Sequence, residues 1–192
     1  PMTYRFAYLL RAVGAAVLCV AANAAQAQVN LEQMTQQWLD EALARNMPAQ
    51  SPLRMEVSVG ALDERLRLAP GTRVETYLPT GARLWGRTRL GLRCQEGAVR
   101  WNVFLPVTVK AYGPAWVLTG DVTMGTVLSA ADATEAEVDW AAENTSILAE
   151  PNLWVGLVAS RHLTAGQALR QSMLRAPQVF QAGALVRAVA QG

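Results

Sequence analysis

Arg87-Thr-Arg-Leu-Gly-Leu-Arg-Cys94 and Trp101-Asn-Val-Phe-Leu-Pro-Val-Thr-Val109, with a turn at Gln95 to Ala98 between them, decide the fold. Successive side chains of a strand point to opposite sides, so a period of two separates two faces. In the first run Leu90, Leu92 and Cys94 share one face, while Arg87, Arg89, Gly91 and Arg93 share the other. In the second, Trp101, Val103, Leu105, Val107 and Val109 form an apolar face, and Asn102, Phe104, Thr108 and Lys110 point away. Two such runs around a short turn predict an antiparallel hairpin buried on one side. Pro106 has no N–H for a ladder, so this strand is expected at a sheet edge or with a bulge there.

Outward from the hairpin, the same period continues at Met55, Val57 and Val59, against Arg54, Glu56 and Ser58. Thr72 to Leu78 reads as a further strand, closed by a turn at Pro79-Thr80-Gly81. Before them the period is 3.6: Leu31, Met34, Trp38 and Ala42 make a stripe that Leu39 and Leu43 widen, which predicts a helix over 31–45. Asn30 is its expected N-cap. After the hairpin, Tyr112-Gly113-Pro114 reads as a short stiff seam, with a new strand at Ala115 to Thr119. A weak repeat follows. Val122 to Leu128, Leu163 to Leu169 and Val179 to Val186 each place a glycine (Gly125, Gly166, Gly183) three residues before an aliphatic one. Each glycine is expected at positive φ in a tight turn between short strands, which suggests a small β domain of hairpins. Asp132 to Asn144 is acidic and alanine-rich and reads as a short helix or loop. Val155 to Ala159 reads as a strand, and Ser172 to Arg175 as one helical turn.

Composition narrows the function. The 192 residues are 52% hydrophobic and 17% charged, enough apolar material for a core and no case for disorder. Arg5 and Arg11, the uncharged run Ala12 to Ala22, and Ala25-Gln26-Ala27 form a secretory signal, with cleavage expected between Ala27 and Gln28. The run is short for a membrane span, so no stable membrane insertion is expected after cleavage. The mature protein is expected in a periplasm. Of the 17 basic residues two lie in the signal, so 15 remain against 15 acidic ones. That balance argues against nucleic acid as a partner. One histidine and two cysteines exclude a His-rich metal site and a multi-disulfide scaffold. Cleavage leaves Cys94 alone, either buried and inert or open to intermolecular pairing.

Candidate chemistry is sparse. His162, the one histidine, neighbours Ser160, yet a triad also needs an orienting carboxylate and an oxyanion hole. The carboxylates of Asp132, Glu135, Glu137, Asp139 and Glu143 lack the spacing of a calcium loop. No phosphate loop, dinucleotide fingerprint or zinc-protease motif occurs, so no enzyme, metal or cofactor is expected. The arginines at 83, 87, 89, 93 and 100 form either a solvated strand face or a docking face for a partner.

Certain segments carry a resemblance. Leu66 to Pro70, Leu84-Trp85-Gly86-Arg87-Thr88, Leu92-Arg93-Cys94 and Trp101 to Val109, including Pro106, resemble the FlgA family of flagellar basal-body P-ring formation proteins. Leu118-Thr-Gly120-Asp121, Gly125 to Asp132, Arg161-His-Leu163, Ala165-Gly166-Gln167 and Leu174-Arg175 resemble its SAF domain, a β-clip module. The resemblance implies an α+β, mostly β chain in three parts. Residues 1–27 are the signal, 28–112 a helix with a small antiparallel β domain, and 113–192 a SAF-like β domain. It implies an exported chaperone that binds the P-ring subunit FlgI, with rod or peptidoglycan as further contacts, and no catalytic residue. Arg87, Arg89, Arg93 and Tyr112 are the candidate partner-binding residues. The family commonly pairs a cysteine at the position of Gly71 with the one matching Cys94, so that staple is expected to be missing. Members usually continue with a further β region past the segment matching Val186 to Gly192, so the last strands are expected to lack partners. The competing readings are a glycan-binding SAF module stacking sugars on Trp116, Trp140 or Trp154, and a pilus assembly factor.

Overall fold

The computed structural model describes residues 30–48, 50–63, 65, 66, 68 and 71–178. The signal segment and the third repeat, Val179 to Val186, lie outside these residues. The strands are β1 (Arg54–Val59), β2 (Gly71–Tyr77), β3 (Gly86–Gly97), β4 (Trp101–Leu118), β5 (Ala133–Asp139), β6 (Val158–Ala159) and β7 (Leu174–Arg175). One helix, α1, covers 30–46. Contacts divide the chain into two compact units. One joins the residues up to Ser51 to Met55–Lys110; the other joins Pro52–Arg54 to Ala111 and beyond.

In the first unit the strand order is β1-β4-β3-β2. The hairpin pairs as read, from Gly86 opposite Val109 to Cys94 opposite Trp101. Its inner face is a core of Leu90, Val107 and Val109, flanked by Met55, Val57, Val59 and Leu84 and covered by Leu39, Trp38 and Leu43 of α1. The centre of the helix's buried stripe is Thr35, Leu39 and Ala42, one step round from the expected line. Thr35 can be there because its hydroxyl donates to the Leu31 carbonyl at 2.7 Å, leaving no unpaired polar group. Asn30 is already helical, so it is not the N-cap.

Pro106 corrects the edge reading. Strand β4 is interior, with β1 on one side and β3 on the other. The Pro106 carbonyl accepts from the Gly60 N–H at 2.8 Å, one residue past the end of β1. The bond a different residue would return to Gly60 is the one proline cannot make, so only the last rung of that ladder is lost. The seam at Tyr112-Gly113-Pro114 lies beside the division between the two units, which falls after Lys110, but no new strand starts at Ala115: β4 runs through unbroken for 18 residues.

In the second unit the far half of β4 pairs with β5, from Tyr112 opposite Asp139 to Leu118 opposite Ala133. The segment read as acidic helix or loop is thus mainly a strand, followed by a single 3-10 turn at Trp140–Ala142. Pairing with β4 outweighs the poor strand propensity of Ala and Glu. The repeats are not separate hairpins. Val122 and Leu163, their first residues, bridge each other, Val127 bridges Val158, and Val117 bridges Ala168. Gly125 and Gly166 turn the chain at φ +88° and +87°. Leu128 and Leu169, which follow them, enter a core with Leu118, Val122, Leu148, Trp154, Leu163 and Met173. Only Val158–Ala159 of the run from Val155 is strand, and Gln171–Met173 is a 3-10 turn ahead of β7.

Candidate functional site

The alternation that buries one face of β2, β3 and β4 displays the other. Cross-strand register sets the displayed side chains in rows: Glu75, Arg93 and Asn102; then Tyr77, Gly91 and Phe104; then Arg89 with Pro106; then Arg87 with Thr108. The glycine in the second row makes the arrangement possible. A Cβ on Gly91 would lie 2.1 Å from Cζ of Tyr77, so the tyrosine ring lies flat against the backbone of β3. Reaching over β3, the Tyr77 hydroxyl donates to Oδ1 of Asn102 at 2.7 Å.

Two arginines stack on the aromatic rings. The guanidinium carbon of Arg93 lies 4.8 Å from the Tyr77 centroid, and that of Arg89 lies 4.7 Å from the Phe104 centroid. Phe104 is 47% exposed, unusually open for a phenylalanine in mid-strand. Nε of Arg93 also donates to Oε2 of Glu75 at 2.9 Å, and the Gln95 amide donates to the same oxygen at 2.6 Å. The Arg93 hydrogen bond, together with the charges of Arg93 and Arg73 and the Gln95 amide, holds the Glu75 carboxyl below its ordinary range. The same hydrogen bond and charge raise Arg93 above its usual value.

The three candidate arginines of β3 therefore differ. Arg93 is paired with an acid and stacked. Arg89 is stacked and, among the described residues, has no acidic partner. Arg87 is exposed and has neither. Arg73 is taken by Glu96, at 3.5 Å. Beside Arg87 and Arg89, the Pro79–Ala82 turn and Thr88 line an open cleft of about 460 Å³. Tyr112, the fourth candidate, belongs to the second unit. It is half-buried under Arg54, whose guanidinium lies 4.7 Å from the ring and 2.7 Å from Oε1 of Glu137.

The family-motif residues are largely architectural. Gly86 opens β3 at φ +65°, with Trp85 half-buried before it. Trp101 is half-buried opposite Cys94, and Pro106 ends the β1 ladder. Cys94 is 3% exposed and unpaired, its Sγ 3.3 Å from the Glu96 carbonyl. Gly71 faces Gly97, whereas Val74 faces Cys94.

In the second unit the three tryptophans differ in exposure, Trp116 and Trp140 being half-buried. Trp154 is fully buried and packs on Trp116 with centroids 5.7 Å apart. The Trp116 and Trp140 N–H groups donate to the carbonyls of Ala149 and Pro114. The Ser160 hydroxyl donates to the Met173 carbonyl at 2.8 Å, and His162 is exposed. Among the described residues no cluster of His, Cys, Asp or Glu is set to hold a metal, and no helix is long and apolar enough to cross a membrane.

Sequence reasoning did not single out Arg170. It is 3% exposed and donates to the carbonyls of Asp139, Trp140, Glu143 and Thr145, at 3.1, 3.2, 3.4 and 2.6 Å. One side chain thus holds the whole turn after β5. Its position after Leu169 carries no motif that would have marked it. Tyr77 and Glu75 were missed for a different reason: their role depends on the register with β3. Phe104, an aromatic on the polar side of its strand, was readable.

Comparison with known proteins finds similarity from residue 31 onward. The family model for the FlgA N-terminal domain matches residues 31–111, and the model for the chaperone for flagella basal body P-ring formation matches residues 113–192. The flagella basal body P-ring formation protein FlgA of Yersinia enterocolitica is 31% identical over 118 residues, covering 62% of this chain and 51% of that protein. The chain thus spans about half the length of this curated relative. Among solved structures, Salmonella FlgA in closed form aligns at 19% identity and a TM-score of 0.46, covering 77% of this chain and 69% of that one. FlgA from Thermotoga maritima aligns at 16% and 0.44, covering 74% and 51%.

Proposed function

The chain belongs to the FlgA family, and from that premise we propose that it is a chaperone for flagellar P-ring formation that acts in the periplasm. Its client is the ring subunit FlgI, held before it joins its neighbours, and the chain carries out no catalysis. The observation that carries this reading is the pair of family matches, which together run from residue 31 to residue 192.

A subunit destined for a ring has surfaces that will be buried only in the ring. The chaperone covers such a surface and yields it when subunit–subunit contact is stronger. Release needs no nucleotide, only a difference in affinity. The displayed face of β2, β3 and β4 suits this task. It offers an exposed aromatic and two arginines without acidic partners among the described residues, over a packed and rigid core. Aromatic and arginine side chains are the types that dominate protein contact surfaces. Within this reading residues 28–112 supply the displayed face and the SAF-like residues 113–192 a second module.

The test is co-purification of the full chain with FlgI and with an unrelated exported β protein, alongside light scattering of FlgI at rising concentration. Selective capture of FlgI and a delayed rise in scattering are expected. Equal capture of both proteins, or of neither, removes the chaperone reading.

A further inference from the structure

We propose that the cleft beside Arg87 and Arg89 takes an acidic segment in extended conformation, carrying two carboxylates two residues apart. This inference rests on the chaperone reading only for the identity of the partner.

Four arginines of β2 and β3 lie on or beside the displayed face, and the protein treats them unequally. Arg73 and Arg93 are neutralised by Glu96 and Glu75. Arg87 and Arg89 have no acidic partner among the described residues, yet they border the cleft. Both lie on the same side of β3, two residues apart, so their Cα atoms are separated by about 7 Å. A second extended chain laid along β3 repeats that spacing at its own alternate residues. Two carboxylates at i and i+2 then meet two guanidinium groups, each able to donate a pair of hydrogen bonds. Two adjacent carboxylates cannot, because they point to opposite sides of an extended chain.

Arg89 is also held in place. Its stacking on Phe104 fixes the guanidinium before the partner arrives, which lowers the ordering cost of binding. The open part of the Phe104 ring offers an apolar contact next to the charged one. The other class of anionic partner, a lipid surface, fits less well. Glu75 and Glu96 are interspersed with the arginines, so a flat sheet of negative charge meets repulsion where a discrete pair of carboxylates does not.

The experiment is fluorescence anisotropy of short labelled peptides with the full chain. The peptides share a Ser/Thr/Phe background and differ in one motif: Glu-x-Glu, Glu-Glu or Gln-x-Gln. The expected result is binding of Glu-x-Glu that weakens with salt, and affinity lower by about tenfold for the other two. R87Q/R89Q should lose about the same factor, and R83Q/R100Q should change little. All four arginines are exposed, and circular dichroism checks that each variant keeps the fold. Equal affinity for Glu-x-Glu and Glu-Glu, or indifference to R87Q/R89Q, overturns the proposal. So does arginine-dependent binding to phosphatidylglycerol vesicles with none to the peptides. Capture of FlgI separates the two readings. Undiminished capture by R87Q/R89Q, with no peptide binding by the unaltered chain, removes the acidic-segment site and leaves the chaperone. Peptide binding with no capture by the unaltered chain leaves the site and removes the chaperone.

Discussion

Replacing Gly91 with alanine tests how the displayed face is built. The added Cβ would lie 2.1, 2.3 and 2.6 Å from three carbons of the Tyr77 ring. Carbon atoms rest at about 3.5–4.0 Å, so the ring has to lift by roughly 1.5 Å. Gly91 is not at positive φ, so the cost is one of space and not of backbone strain. Lifting the ring disturbs the 2.7 Å bond to Asn102 and the stack on Arg93. A net hydrogen bond is worth about 1 kcal/mol and an exposed cation–π contact about 0.5–1. With the residual crowding, about 2 kcal/mol is expected, inside the usual range of ~1–3 for overpacking. For a unit of this size that is a fall in melting temperature of roughly 10 °C. The assay is thermal and urea unfolding of G91A, Y77A and the double variant. Once the ring is gone the methyl has nothing to strike, so G91A in the Y77A background should be close to neutral. An equal loss in both backgrounds would refute the reasoning, because the glycine would then serve the backbone and not the ring.

Two further predictions concern charged groups. Removing the guanidinium in R170M strips four carbonyls of their donor, with an expected loss of roughly 3–4 kcal/mol. Limited proteolysis should then cut between 139 and 146, and an unchanged digestion pattern would show that the turn holds by itself. The second prediction concerns pH. Glu75 has its folded pKa lowered, so its pairing stabilises the fold above the ordinary carboxylate value and fades as pH falls through the lower, folded value. The difference in urea midpoint between the unaltered chain and E75Q should therefore narrow as pH drops below the ordinary glutamate range. A constant difference would mean that Glu75 contributes nothing through its charge.

What the sequence displays and what it conceals divide along one line. The helix and strands β1 to β4 are readable because each buries one face, and burial writes a period into the residues themselves. Arg87, Arg89 and Phe104 are readable for the same reason, as residues left on the other side of a legible strand. Strand β5 was not readable. Ala-Thr-Glu-Ala-Glu-Val-Asp has little period and poor propensity, and it is a strand because β4 extends far enough to pair with it. The length of β4 was itself hidden by Pro114 and Gly113. Each costs a strand something locally, and neither cost decides where the ladder with β5 holds the chain extended.

The same line runs through the displayed face, where a residue's meaning depends on its opposite number. Glycine in the middle of a strand reads as a weakness. Opposite Tyr77 it is the space into which a ring lies, and that ring supports Arg93, which in turn occupies Glu75. Glu75 is occupied by Arg93, while Arg89 stacks on Phe104 and has no acidic partner among the described residues. A strand written with three arginines on one face thus becomes, through register alone, one with an anchored end and an open end. The anchored end fixes the surface, and the open end carries charge that no acidic side chain among the described residues takes up.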